Sequence, residues 1–219
     1  MYVLAGLGNP GARYAKNRHN IGYLVADEIA RCHGFEGFRS RSRLSGDIAE
    51  GRIGEARVAL FKPTTFMNES GRAIGAVLRF YKIEPERLFV FHDELDLAPG
   101  KVRVKLGGGS AGHNGLKSVT AHIGANYWRV RMGIGHPGDK DRVHDYVLSD
   151  FSKTESLWLL ELFGPARALL HDVPLFAAIG NHEENASFWY DFFAYPEGDV
   201  PDDINSEAYY SFTFGNVFF

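Results

Sequence analysis

Tyr2-Val3-Leu4-Ala5-Gly6-Leu7 is followed by Gly8-Asn9-Pro10-Gly11, and a helical pattern then runs from Ile21 to His33 before stopping at Gly34. A short apolar run closed by a Gly/Asn/Pro turn reads as a first strand rather than a signal peptide. Strand, polar loop and amphipathic helix in that order set the pattern for the rest of the chain. Further strands are predicted at Ser45–Ala49, Arg57–Lys62, Leu88–Phe91, Val102–Leu106 and Trp128–Ile134. Helices are predicted at Gly71–Tyr81, with Ile74, Val77, Leu78 and Tyr81 on one face, and at Leu116–Ile123, Thr154–Phe163 and Ala166–Ile179. Ser152-Lys153-Thr154-Glu155 has the spacing of a capping box. The alternation argues for an α/β fold, a three-layer single domain with a mixed, mostly parallel central sheet flanked by helices.

Composition narrows the class. With 219 residues, 45% of them hydrophobic, the chain supports one ordinary core plus an appendage. Cys32 is the single cysteine, which leaves no intrachain disulfide and fits a reducing cytoplasm. No apolar run approaches the ~18 residues of a membrane span. The net charge of −3 conceals a division. Residues 181–219 contain eight acids, twelve of the chain's aromatics and no Lys or Arg. The remaining 180 residues hold 24 basic and 19 acidic groups, a net of +5. A mildly basic body can meet a polyanion, and an acidic, aromatic tail would repel one. The boundary is placed at residue 180: 1–180 as the main domain, 181–219 as an appendage whose aromatics pack on the body or on another chain, the alternative being a sequence end altered by a frame change with no selected role.

In open α/β sheets, sites collect beyond the strand ends and at helix N-termini. The polar clusters of this chain lie in such places. Gly8–Tyr14 follows the first strand and Phe66-Met67-Asn68 precedes a helix; His92-Asp93-Glu94-Leu95-Asp96 and Gly107–Asn114 each follow a strand. Arg18-His19-Asn20 stands at the mouth of the first helix. His19 with Asp93 is a pairing suited to base-catalysed hydrolysis, since imidazole titrates near neutrality and a carboxylate can fix its tautomer and raise its basicity. Asn9, Asn68 and Asn114 surround them with neutral amides, which suit a polar, carbonyl-rich substrate better than a metal ion. Each residue also has a plainer role open to it: Asn20 and Asn68 as helix caps, His19 as a surface histidine, His92–Asp96 as a solvated acidic turn.

Other chemistries are weaker on the page. Gly108-Gly109-Ser110-Ala111-Gly112 matches the Gly-x-Ser-x-Gly pattern of a serine esterase, but the preceding Lys101-Val102-Arg103-Val104-Lys105 alternates charge and does not resemble the buried strand that pattern requires. The acidic turn lacks the partner histidines or cysteines of a metal site, and no metal or cofactor is expected. Lys101, Arg103 and Lys105 share a strand face, as do Arg129 and Arg131, with Lys117, Lys140 and Arg142 as possible extensions. Alternating charge can simply protect an edge strand, yet two such strands in a basic body point to phosphate contacts.

Taken in order, Gly6-Leu7-Gly8-Asn9-Pro10-Gly11, Tyr14, Arg18-His19-Asn20, Lys62–Gly71, His92–Asp96, Lys105–Gly109, Gly112–Lys117 and Arg131–Pro137 resemble the bacterial-type peptidyl-tRNA hydrolases. The resemblance is densest over residues 1–150 and extends to about 180. It implies a monomeric cytoplasmic enzyme that cleaves the ester between a peptide and tRNA, with His19 as general base and Asp93 as its orienting carboxylate. It further implies Asn9 in separating N-blocked from free aminoacyl groups. Asn68, Asn114 and His113 would bind the substrate, with Tyr14, Phe66 and Met67 lining its groove, and Lys105, Arg131 and neighbouring Arg103 would hold tRNA phosphate. An RNA-binding relative without catalysis and a Ser110 esterase are the alternatives. Family members end in a basic helix, so the acidic end of this chain departs from the pattern.

Overall fold

Leu7 N–H donates to the carbonyl of Phe91 at 3.0 Å, tying the end of the first strand to the middle of the strand that carries Asp93. The computed structural model describes residues 1–155, Leu159 and the backbone of Tyr210–Phe212. Strands β1 (Tyr2–Gly6), β2 (Arg39–Arg41), β3 (Gly46–Ile53), β4 (Ala56–Pro63), β5 (Leu88–Glu94), β6 (Val102–Leu106), β7 (Trp128–Gly133) and β8 (Tyr210–Phe212) form one sheet in the order β2-β3-β4-β1-β5-β7-β6-β8. The four central strands, β4-β1-β5-β7, are mutually parallel, and the flanking pairs are antiparallel. Helix α1 (Ile21–Cys32) packs on one face through Ile21, Val25 and Ile29, joined there by α4 (Val143–Val147). Helices α2 (Ser70–Tyr81) and α3 (Asn114–Ile123) cover the other through Ile74, Val77, Leu116 and Val119. This is the expected three-layer α/β class with a mixed sheet.

Several boundaries move for physical reasons. β5 continues three residues past Phe91, and all seven of its residues are buried. His92, Asp93 and Glu94 are therefore strand, not a solvated turn: partners satisfy the two carboxylates and His92 Nδ1, while His92 Nε2 is buried without a hydrogen bond among the described residues. β3 runs on to Ile53 with Glu50 exposed, so its polar half escapes an apolar criterion. β2, Arg-Ser-Arg and wholly exposed, carries no apolar pattern at all, and α4 is too short to declare one. The predicted helices Thr154–Phe163 and Ala166–Ile179 lie outside the described residues except at the start of the first. There the capping box is formed: Ser152 N–H donates to Glu155 Oε2 at 2.7 Å, and Glu155 N–H to Ser152 Oγ at 3.3 Å. The packing expected for the appendage also lies outside the described residues, apart from the β8 backbone, which pairs with Val102–Val104.

One topological expectation is corrected. The glycine stretch does not leave the sheet at the rim where β1, β4, β5 and β7 end. β6 is antiparallel to β7, and its last residue, Leu106, pairs with Trp128, the first residue of β7. The segment Gly107–Gly112 therefore returns to the opposite end of the sheet, held on the way by Arg129 of β7 at the Gly109 carbonyl, and brings His113 and the N-terminus of α3 to the rim.

The N-terminus of α1 reaches that rim by backbone contact. A Cβ on Gly22 would sit 2.4 Å from both Leu7 N and Phe91 O. Main-chain atoms cannot yield as a flexible side chain would. Gly22→Ala is expected to destabilise by at least ~1–3 kcal/mol, the usual cost of overpacking, and to push α1 and His19 away from Asp93. Thermal unfolding together with kcat checks this: both should fall.

Candidate active site

Asp93 lies one residue from the end of β5, 5% exposed, and accepts hydrogen bonds from two histidines. His19 Nδ1 stands 2.9 and 3.0 Å from its two carboxylate oxygens, and His113 Nε2 stands 3.0 Å from Oδ1. Since a carboxylate only accepts, both ring nitrogens carry protons. His113 is fixed independently. It caps α3, with Nδ1 accepting from the N–H groups of Gly115 and Leu116 at 3.1 and 3.3 Å, so its proton must be on Nε2. In its neutral form His19 therefore carries its proton on Nδ1 and leaves Nε2 free to accept one.

The electrostatics follow from these contacts. Burial works against a charged His19, but the Asp93 carboxylate outweighs it and raises the imidazole pKa above its ordinary 6.5. Burial alone would raise the pKa of Asp93; the two histidines hold it well below the usual carboxylate range instead. His92, the neighbouring imidazole, is pushed down to about 3 by burial and by His113. Its Nδ1 donates to the Asp93 main-chain carbonyl at 2.8 Å, which leaves it neutral and 1% exposed.

The three residues Arg18-His19-Asn20 each fasten to a different part of the fold. Arg18, 7% exposed, donates three hydrogen bonds of 2.7–3.1 Å to Glu155 and others to the carbonyls of Tyr146, Ser149 and Asp150. His19 fastens to β5. Asn20 does not cap α1. Its carboxamide pairs with the main chain of Asn9, donating to the carbonyl and accepting from the N–H, both at 2.9 Å. Asn9 Oδ1 in turn accepts from Met67 N–H at 2.8 Å. The predicted pair and the first-strand loop are thus bound into one unit.

His19 and Asp93 form the floor of a cleft of about 590 Å³. Asn9, Phe66, Met67 and Asn68 stand on one side, and Ser110–Asn114 on another. Asn68 and Asn114 are exposed, and Phe66 is 53% exposed at the lip. Asn68 makes no helix cap; the turn before α2 starts from Phe66. The α3 N-terminus is packed hard against this wall, because a Cβ on Gly115 would lie 2.5 Å from Met67 Sδ. A third wall was not foreseen: Lys140, Val143, His144 and Val147 from α4 and the turn before it. Val143 and Val147, spaced i,i+4, were the available signal.

Tyr14 does not wall the cleft; it is half-buried beside it, with the Arg13 guanidinium 4.5 Å over its ring. Arg103, Lys105 and Arg131 also lie outside the cleft. The register puts Arg103 opposite Arg131 and Lys105 opposite Arg129, so all four project from one sheet face. Arg103 is exposed. Arg131 Nε donates to Glu94 Oε2 at 2.9 Å, and Glu94 lines the cleft, so this cation is already paired. Arg129 is 2% exposed, bonded to the Gly109 carbonyl and stacked 4.8 Å over Tyr127. It anchors the glycine loop and cannot meet phosphate.

Two other chemistries fare worse. Ser110 lies four residues beyond β6, in the returning loop, and among the described residues no histidine bonds to its hydroxyl. The ligand atoms of His19, Asp93 and His113 lie within 4.8 Å of one another, as in a metal site. Their contacts are already explained by hydrogen bonds, with a proton on each nitrogen that faces Asp93.

Known proteins bear on this geometry. The family model described as peptidyl-tRNA hydrolase matches residues 3–177. A peptidyl-tRNA hydrolase of Methylorubrum extorquens is 57% identical over 188 residues, 86% of this chain and 85% of its own. One from Dinoroseobacter shibae is 60% identical over 162 residues, 74% of this chain and 68% of its own. The crystal structure of the Acinetobacter baumannii peptidyl-tRNA hydrolase superposes with a TM-score of 0.74 at 37% identity, covering 82% of this chain and 93% of that one. A family match across most of the chain, on the same fold, leads to one conclusion: this chain belongs to the peptidyl-tRNA hydrolase family.

Proposed function

We propose that this protein hydrolyses the ester joining a peptide, or an N-blocked aminoacyl group, to the 3′ ribose of tRNA, with His19 as general base. The observation that carries the reading is the His19–Asp93 contact, which frees Nε2 over a cleft rimmed by Asn9, Asn68 and Asn114. His19 Nε2 removes a proton from water as the oxygen attacks the ester carbonyl. Side-chain amides and loop N–H groups donate to the developing oxyanion. Collapse breaks the bond to the ribose oxygen, which takes the proton back from His19. The products are a peptide carboxylic acid, which gives its proton to solvent, and tRNA with a free 3′ hydroxyl. An ester requires no stronger activation than a base and such donors, so no metal or cofactor enters.

Asn9 is assigned the discrimination between blocked and free substrates. Its oxygen is used by Met67 N–H, so its Nδ2 donors face the cleft. A peptide carbonyl accepts from them; the ammonium of a free aminoacyl group, a donor only, cannot. A mismatch of this kind costs roughly 1–3 kcal/mol. His113, with both ring nitrogens engaged, serves by holding Asp93, while Phe66 and Met67 give apolar contact to the peptide.

tRNA is held mainly through phosphate, and Arg103 and Lys105 are the candidates. Replacing either by alanine is expected to flatten the slope of log affinity against log salt by ~0.7–0.9 and to leave hydrolysis of a minimal substrate without the tRNA body nearly unchanged. Arg131→Ala carries a second effect, because it strips Glu94 of its partner at the cleft. The substrate arises at ribosomes, so the cytoplasm is the assigned location; among the described residues no helix is long and apolar enough to cross a membrane. We assign catalysis to residues 1–180 and none of it to the acidic appendage.

The direct test is release of the acyl group from N-acetyl-aminoacyl-tRNA, with free aminoacyl-tRNA as control. Rapid release from the first and little from the second is expected. Binding of tRNA with no release would favour the non-catalytic relative, and labelling of Ser110 by a phosphonate, with loss of activity, would favour the esterase.

A further inference from the structure

We infer that Asn20 is a positioning residue for substrate discrimination, acting through Asn9 rather than on the reacting atoms. The inference rests on the role assigned to Asn9 above and goes beyond it. Asn20 is 1% exposed and spends its whole carboxamide on one neighbour. Its Oδ1 accepts from Asn9 N–H and its Nδ2 donates to Asn9 C=O, the pair of bonds a neighbouring strand would make. Both ends are chemically assigned, because a main-chain N–H needs the oxygen and a main-chain carbonyl needs the amide nitrogen.

The helix that begins at Ile21 makes no use of this side chain, since Asn20 gives no side-chain bond to its first turn. Its main-chain N–H is already occupied by the Asn17 carbonyl at 3.0 Å. What the side chain fixes is the loop between Gly8 and Pro10. With the Asn9 backbone clamped and its Oδ1 held by Met67 N–H at 2.8 Å, the one remaining freedom, a turn of the carboxamide, is removed. Because Asn20 is peptide-bonded to His19, the same clamp sets the distance between the catalytic base and the discriminating amide. Without it, the Gly8–Pro10 loop is free to carry Asn9 away from Met67 N–H, which releases the carboxamide to turn, and a carbonyl oxygen facing the cleft would welcome the ammonium it should reject.

The test compares kcat/KM for N-acetyl-aminoacyl-tRNA and free aminoacyl-tRNA in wild type, Asn9→Ala, Asn20→Ala and the double variant. Asn20→Ala is expected to lower the blocked-over-free ratio by ~5- to 150-fold, the range for one mismatched buried hydrogen-bonding group. In the Asn9→Ala background it should add less than about twofold, since residues acting through one another are not additive. The acid limb of the pH profile should keep its position, because the His19–Asp93 contact is untouched. Asn20→Asp, equal in size, retains the bond from Asn9 N–H and faces the carbonyl with an oxygen. It should lose discrimination likewise, and it serves if the alanine variant does not fold. A ratio that falls in Asn9→Ala but is unchanged in both Asn20 variants overturns the inference alone. Additive losses in the double variant also overturn it. A ratio unchanged in Asn9→Ala removes the role of Asn9 and the inference with it.

Discussion

His19→Ala is expected to lower kcat by roughly 10²–10⁴-fold, the usual contribution of a positioned general base, with tRNA affinity retained. No neighbouring histidine can substitute. His92 is buried, with its pKa pushed down to about 3 and its Nδ1 engaged by a main-chain carbonyl. His113 turns its protonated nitrogen to Asp93 and its other nitrogen to the first turn of α3. The side chain removed is only 13% exposed and makes no other described hydrogen bond, so the fold should survive. Asp93→Asn should lose less, because the base remains and only its orientation and charge support are gone. Steady-state kinetics beside a tRNA-binding titration check both. A fully active His19→Ala enzyme is incompatible with the mechanism.

The second large effect is on stability. Arg18→Met should destabilise the fold by ~3 kcal/mol, the low end for breaking a buried ion pair. The low end applies because the Glu155 side chain is one-fifth exposed and can recover some hydration. For a chain of this size the melting temperature should drop by ~6–12 °C. Lysine is not a rescue, since one ammonium cannot replace a planar guanidinium that meets a carboxylate and several carbonyls together. The contribution has a defined pH window. Glu155 has a lowered pKa despite burial, through Ser152 and Arg18. Its stabilisation is therefore full above the ordinary value of 4.5 and is lost as the pH falls through the lowered one. Melting curves across that range, in wild type and variant, should converge at the acid end.

What could be read from residues alone divides along physical lines. β1, β6 and α2 were legible because their apolar spacing matches one period and turn residues bound them. The Asp93 strand was cut short because His-Asp-Glu looks solvated. Its two carboxylates are buried because His19 and His113 bond to Asp93 and Arg131 to Glu94, and those partners are distant in sequence. β2 and α4 were hidden, the first by full exposure and the second by brevity. The pairing of His19 with Asp93 could be anticipated from chemistry and from their places at element ends. The work of Asn20 could not, because a cap and a clamp use the same residue beside the same helix. Only the observed contact with Asn9 tells them apart. Alternation puts Arg103 and Lys105 on one face of β6 and Arg129 and Arg131 on one face of β7; that the two faces coincide comes from the register, and alternation does not reveal depth. Arg129 proves to be a core anchor, and Arg131 is already paired.

The central claim is that His19, charged or neutral at the will of Asp93, is the group whose protonation state governs turnover. The most direct measurement is the pH dependence of kcat/KM for N-acetyl-aminoacyl-tRNA hydrolysis in wild type and in Asp93→Asn. The neutral imidazole is the active form, so activity should fall on acidification. Because Asp93 raises the His19 pKa, the midpoint of that fall should lie above 6.5 in the wild type. In Asp93→Asn the carboxylate no longer opposes burial, and the midpoint should move to lower pH along with the loss in rate. A wild-type midpoint at or below 6.5, or one that Asp93→Asn leaves in place, would contradict the assignment of His19 as a base supported by Asp93.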